Sequence, residues 1–264
     1  MYTKIDLHIH TPISSCYVDH IMPEANLKTS PQDIVAAALD AGLAAIAITD
    51  HNSAEGIDGL TEAARKSGLC ILPGLELSAR GGHVLALFEQ GTPVPRLRHL
   101  LQVLGFTEEA GGRGYCETEH RIDYVFQKIE EHGGLAIAAH VDRKPKGFLA
   151  SEELATNDKR EILASQHLAA IEITVQRDRI LWNRGSVTGY PRKIACIQGS
   201  DAHAPEEIGR RPIWVQIPSL TLKGLRFALA EPESRIAFPS EGMVEDSSPG
   251  VADKISLPQP PSSP

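Results

Sequence analysis

Nearly every short apolar run in this chain stops on a histidine, an aspartate or a glutamate. KIDLHIH ends on His8 and His10, LAAIAITDH on Asp50 and His51, LCILPGLE on Glu76, LAIAAH on His140 and KIACIQGSDAH on Asp201 and His203, while Glu172 lies within AAIEIT. Amphipathic stretches such as PQDIVAAALDAG, GLTEAARKSG and DYVFQKIEEHGG separate the runs. Strand and helix in alternation predict an α/β fold, a parallel sheet covered by helices. In a β/α barrel the C-terminal strand ends form the face on which active sites are built. Ser30-Pro31 predicts a helix start, as N-cap and first helical residue, and Gly42 and Gly133-Gly134 predict two helix ends.

A lone polar residue after a strand is usually a hydrogen-bonded boundary residue or the cap of the next helix. The joint pattern reads differently, because polar side chains converging on one rim are costly to desolvate unless something binds them. His8 and His10, two apart in an extended strand, present their rings on one face. Neutral imidazoles mixed with carboxylates suit zinc, manganese or iron. Glu76 and Asp201 each offer two oxygens, so either could bridge two ions roughly 3.5–4 Å apart, an arrangement that activates water for phosphoryl displacement.

With 264 residues, 42% of them hydrophobic and 23% charged, the chain has enough apolar side chain for one sizeable core. A formal net charge of −8 argues against holding an extended nucleic-acid duplex through a broadly basic surface. The cysteines at 16, 70, 116 and 196 form no CxxC pair, which predicts a reducing, cytoplasmic setting. No apolar run approaches the roughly 20 residues a membrane-spanning helix needs. We expect a barrel over 1–239 with a Gly-rich, irregular excursion over about 89–118, and a disordered Pro- and Ser-rich tail over 240–264.

At DLHIHT, AITDHN, PGLELS with the following GGHVLALF, AIAAH and GSDAHAPEEIG, the sequence resembles the PHP family, named for polymerases and histidinol phosphatases. GGHVLALF, GSDAHAPEEIGRRP and SLTLKGLRFALAEPESRI are most similar to stand-alone phosphoesterases and to PHP domains attached to large ATPases; no Walker A sequence is present. The resemblance implies a distorted (βα)7 barrel holding two or three divalent ions. It implies that His8, His10, Glu76 and Asp201 hold the first, that Glu76 bridges to a second held also by His83 and His140, and that His51 and His203 bind a third. Where many relatives have a further His or Asp, this chain has Cys16, beside Ser15. Cys16 as a thiolate, Asp19 or His20 could complete that third position, or nothing does.

The implied enzyme is a phosphoric ester hydrolase in which a metal-bridged hydroxide attacks phosphorus, with Glu76, Asp201 and His203 as catalytic groups. Arg143 and Arg177 are the foremost phosphate anchors, ahead of Lys144, Lys146, Arg210 and Arg211. Glu172 and Asp50 are expected to orient ligands rather than bind metal. Tyr115, Trp182 and Tyr190 could stack on a base or sugar. The substrate expected is a small phosphoester such as a nucleotide or sugar phosphate. The alternatives are a nuclease on short single strands and a non-catalytic metal-binding module.

Overall fold

The computed structural model describes residues 2–19, 29–144 and 147–239. His20, Lys146 and the tail from 240 lie outside the described residues. The strands are β1 (Thr3–Ile9), β2 (Ala45–Ile48), β3 (Cys70–Arg80), β4 (Gly82–Leu87), β5 (Thr118–Arg121), β6 (Leu135–Ala138), β7 (Leu168–Glu172), β8 (Ala195–Ile197), β9 (Ile213–Val215) and β10 (Ile236–Ala237). They join in one sheet of order β10-β9-β1-β2-β3-β4-β6-β7-β8, with β5 on the extended end of β3. The continuation of β8 meets β1 again, through the Ile9↔Ala202 bridge and a His10 N–H bond to the Ala202 carbonyl at 2.9 Å. The wall thereby curls into a nearly closed, TIM-like barrel, the architecture expected from the alternating pattern.

Two apolar layers hold it. Inside, Ile5, Leu7, Ala45, Leu72, Leu85, Ile137, Ala170 and Ile197 pack together, and Leu222, Leu225 and Ala228 of the helix Leu222–Ala230 close the floor. Outside, the helices Pro31–Asp40, Ile57–Ala64, Val94–Val103, Ile122–Glu131 and Thr156–Leu163 lay residues such as Ile34, Leu60, Leu97, Phe126 and Ile162 against Ile46, Ile71, Ala86 and Ile171. The predicted helix start at Ser30-Pro31 is a full capping box, with Ser30 and Asp33 bonding each other's backbone N–H. Gly42 (φ +68°) and Gly133 (φ +77°) take the left-handed conformation just past their helices, as predicted.

The stretch 89–118 departs from the irregular excursion expected. Its first half is the regular helix Val94–Val103, which buries Val94, Leu97 and Leu100. All its glycines but Gly91 fall in the second half, so the composition of the whole masked a helical period. β4 also departs from the all-parallel expectation: it runs antiparallel to both β3 and β6. No helix among the described residues is long and apolar enough to cross a membrane.

Leu225 is 4% exposed and seals the barrel floor. Leu225→Ala should lower unfolding stability by about 2–5 kcal/mol, read by denaturant melts.

Candidate metal centre

Glu76 sits on the inner face of β3, two positions beyond Gly74 and in phase with the barrel-lining Cys70 and Leu72. Its side chain is 1% exposed and is ringed by imidazoles. Oε1 lies 2.9 Å from both His83 Nδ1 and His140 Nε2. Oε2 lies 3.0 Å from His51 Nδ1, 3.2 Å from His10 Nε2 and 3.4 Å from His8 Nε2. Asp201 Oδ1 completes the group at 3.1 Å from His10 Nε2 and 3.2 Å from His8 Nε2.

The backbone departs from regularity at several of the points where it delivers the groups around Glu76. Between Asp6↔Ile46 and Ile9↔Ile48, β1 carries one more residue than β2, a bulge. Leu7 packs with the inner layer and Ile9 with the outer one, so the bulge changes which residues face inward, and His8 and His10 take the inner face. Because β4 runs against its neighbours, its first residues lie at the rim where the parallel strands end, and His83 arrives there paired with Ser78. Ala139 packs in the inner layer, so plain alternation would send His140 outward; its φ of +29° turns the ring inward instead. Asp201 (φ +49°) and Asn52 (φ +47°), beside His51, adopt the same costly conformation.

A second layer of partners fixes the rings. Glu172 accepts from His8 Nδ1 (3.0 Å to Oε2) and from the His140 backbone N–H (2.8 Å). Asp50 acts through Ser14: Ser14 Oγ donates to Asp50 Oδ1 at 2.7 Å and stands 3.0 Å from His10 Nδ1, while Thr11 donates to Asp50 from its N–H and its hydroxyl. Sequence reading expected Glu172 and Asp50 to orient ligands but missed Ser14 and Thr11, although the TPISS run that follows the HxH pair contains both. It also missed Gly199, where a Cβ would stand 2.4 Å from Glu172 Oε1 and 2.6 Å from His8 Cβ. The turn 111–116 roofs the site, with the Gly112 N–H on the His51 carbonyl and Asn52 Nδ2 on the carbonyls of Arg113 and Cys116.

At the outer edge, Cys16 Sγ lies 3.0 Å from His203 Nε2, near His51 and His10. Arg143 donates to Asp201 Oδ2 at 2.5 Å with its side chain 41% exposed. Arg177 stands apart, 85% exposed and 3.7 Å from Asp178. Arg210 and Arg211 bond the carbonyls of Ser200 and of Ile173 and Thr174. Trp182 is buried and packs on Tyr190 at a ring separation of 5.6 Å, whereas Tyr115 on the roof is exposed.

The donors fit divalent ions. Tetrahedral nitrogen and oxygen ligands at about 2.0–2.1 Å from an ion stand roughly 3.3 Å from one another. The nitrogens of His8 and His10 are 3.3 Å apart, and their distances to Glu76 Oε2 and Asp201 Oδ1 run from 3.1 to 3.4 Å. Glu76 Oε2, His51 Nδ1 and His140 Nδ1 are buried without a hydrogen-bond partner, a debt that a cation would settle for the first two. His51, Glu76 and His83 form a second such grouping, and His10, Cys16, His51 and His203 a third.

Electrostatics point the same way. Burial pulls the His8 and His10 pKa values down, but the surrounding carboxylates prevail, holding His8 well above the usual imidazole range and His10 at about 9. Without an ion the carboxylates thus recruit protons as their countercharge. Burial pushes His51 down to about 3 and, helped by His10, His203 down to about 4, so both keep a neutral, ligand-competent ring. Burial and Glu76 push the Cys16 thiol up to about 12.

Gly199→Ala should press on Glu172 and His8 and weaken metal affinity by about 10–100-fold, the cost of disturbing a ligand's outer partner. Calorimetric metal titration reads this, and Glu172→Gln should act in the same direction.

Comparison with known proteins follows the same lines. An uncharacterised protein of Methanocaldococcus jannaschii is 29% identical over 137 residues, 52% of this chain and 67% of its own length. In fold the chain is similar to the lesion-specific endonuclease Q of Pyrococcus furiosus (TM-score 0.63, 16% identity, 87% of this chain and 56% of that one). It is equally similar to an endonuclease Q bound to a 27-mer duplex with an abasic lesion at its active site (TM-score 0.64, 17% identity, 87% and 57%). The chain thus spans little more than half the length of these endonucleases. The PHP domain model matches residues 6–173, from the HxH strand through Glu172, and the chain belongs to the PHP domain family.

Proposed function

We propose that this chain is a metal-dependent phosphoesterase that acts on small phosphate esters, a nucleotide or a sugar phosphate. The observation that carries the reading is the pairing of a buried His and carboxylate cluster with one guanidinium at its rim, Arg143 on Asp201. One such cation matches one phosphoryl group better than the ladder of phosphates along a strand. Arg210 and Arg211 are bound to carbonyls and to Glu207 instead.

In this reading His8, His10, Glu76 and Asp201 hold one divalent ion, and Glu76, His83 and His140 hold another. Zinc, manganese and iron(II) all suit these donors. Bound divalent ions lower the pKa of water and offset charge on phosphoryl oxygens. The chain does the rest. Arg143 keeps N–H groups beyond the one on Asp201, and these receive a phosphoryl oxygen. Asp201, with Oδ1 on the ring nitrogens and Oδ2 on Arg143, accepts a proton from the attacking water through Oδ2 once Arg143 turns to the substrate. His203, with Nδ1 bonded to the Asp201 carbonyl, presents Nε2 toward the rim for proton transfer to the leaving group when that nitrogen is not ligated. Glu172, Ser14 and Asp50 hold the rings in place, which supplies the preorganisation that positioned catalysis needs.

A nuclease reading has one observation in its favour, the likeness in fold to an endonuclease solved on a 27-mer duplex. That precedent runs against the sequence-based expectation that no extended duplex is bound.

The test loads the full chain with zinc, manganese or iron(II) and compares phosphate release from mononucleotides and ribose 5-phosphate with cleavage of a labelled oligonucleotide and an abasic duplex. Release from the small esters is expected; no turnover of them with any ion would overturn the reading, and cleavage of DNA alone would transfer it to the nuclease class. His10→Ala should lower kcat/KM by more than about 100-fold and reduce bound metal. Arg143→Ala should raise KM by about 10–100-fold, the worth of a charge-assisted hydrogen bond, with metal content kept.

A further inference from the structure

A groove of about 460 Å³ opens beside the roof, between the segment 52–55, the helix Val94–Val103 and the turn that follows that helix. Its volume is that of a site for a small organic molecule. Asn52, Ser53 and Ala54 form a buried floor, and the half-buried Leu101 and Phe106 form an apolar wall. Ser53 Oγ accepts from the Glu55 N–H at 3.3 Å, which leaves its hydroxyl proton for a ligand.

The inner end of the groove adjoins the metal centre. Asn52 follows His51, and Ile13, also in the lining, precedes Ser14, whose Oγ stands 3.0 Å from His10 Nδ1. The roof passes here as bare backbone. Gly111 lines the groove, and the Gly112 N–H reaches the His51 carbonyl at 2.7 Å while its carbonyl accepts from the Ser15 N–H at 2.7 Å. A Cβ on Gly112 would stand 2.2 Å from the Ile13 carbonyl oxygen, and one on Gly114 2.6 Å from His51 Nε2, so both positions admit only glycine. The ridge beside the ions is therefore low, and an ester with its phosphoryl group at the ions reaches the groove by lying across it.

Charge decides what the groove accepts. Arg98, the one cation in its lining, is held by both oxygens of Glu55 at 2.9 and 2.8 Å, and Glu108 adds a second carboxylate. The lining is thus net negative and repels a phosphate, while Phe106 and Leu101 suit a flat, uncharged ring. We infer that this groove receives the base of the leaving group and turns away a second phosphate, so that the small ester preferred is a nucleoside monophosphate. The inference rests on the phosphoesterase reading above. In the reaction water gives its oxygen to phosphorus, the phosphorus–oxygen bond to the ribose breaks, and the ribose oxygen leaves with a proton while the base stays seated.

Steady-state kinetics on the metal-loaded full chain test this. Adenosine 5′-monophosphate and ribose 5-phosphate share the phosphorylated ribose and differ in the base alone, so the ratio of their kcat/KM values reads the groove. The ratio should exceed about tenfold, the scale of one stacked base, and Phe106→Leu should lower it by at least about fivefold. Adenosine 5′-diphosphate should be turned over at least about tenfold less efficiently than the monophosphate, and Glu108→Lys, at an exposed position, should narrow that gap. The ratios on the unmutated protein need no variant to fold. Equal kcat/KM for the monophosphate and ribose 5-phosphate, a base preference unmoved by Phe106→Leu, or a diphosphate used as well as the monophosphate would overturn the inference and leave the phosphoesterase reading standing. No turnover of either monoester with zinc, manganese or iron(II) would remove both.

Discussion

One buried carboxylate organises this molecule. Glu76, with 1% of its side chain exposed, takes a full negative charge into the mouth of a barrel, above an apolar inner layer. An isolated carboxylate there would be costly by many kcal/mol. It is tolerated because ring nitrogens of His8, His10, His51, His83 and His140 stand within 3.4 Å of its oxygens. Several irregularities of the wall serve that convergence: the bulge in β1, the reversed β4, and the left-handed residues at His140 and Asp201. Strain is concentrated where the chemistry is, while the barrel floor and the outer helices follow ordinary packing.

Much of this was legible in the sequence. Strand ends could be read because apolar runs of strand length end abruptly on polar residues, and a parallel barrel brings those ends to one rim. Strand alternation gave the shared face of His8 and His10. Helix ends were legible wherever a local motif determines them, as at Ser30-Pro31, Gly42 and Gly133. His83, Cys16 and the grouping of ligands came from family resemblance, since the first two lie at a strand start and in a five-residue helix, where periodicity says nothing.

What stayed hidden has physical causes. Strand direction is set by pairing, so nothing within GGHVLALF says that β4 is reversed. The inward turn of His140 depends on one backbone torsion. Ser14 and Gly199 matter through what they touch, one a relay of hydrogen bonds and the other an absence of side chain, and neither leaves a periodic trace. Arg177 and Arg143 look alike as strand-following arginines, yet only Arg143 reaches the cluster, because the Val141 N–H and Leu149 N–H bonds fold its loop back over the rim. Trp182 and Tyr190 are packing residues, as single aromatics in such places commonly are.

The tight β3–β4 hairpin divides the rim into a fixed sector and an adaptable one. Gly81 and Gly82 make its turn; the position a Gly81 side chain would occupy is filled by Leu154, and Phe148 packs 3.4 Å from that of Gly82. Nothing can be inserted there without displacing the apolar packing beneath. The opposite sector is built from turns after β1, β2, β6, β7 and β8, together with the roof at 111–116; the turns after β2 and β8 are largely buried, and solvent is met mainly at 12–13, 142–144, 174–178 and at 111, 113 and 115. New substrate contacts therefore arise from the solvent-facing residues of those turns, whose inner residues Ser14, His51, His140 and Asp201 are buried in the cluster around Glu76.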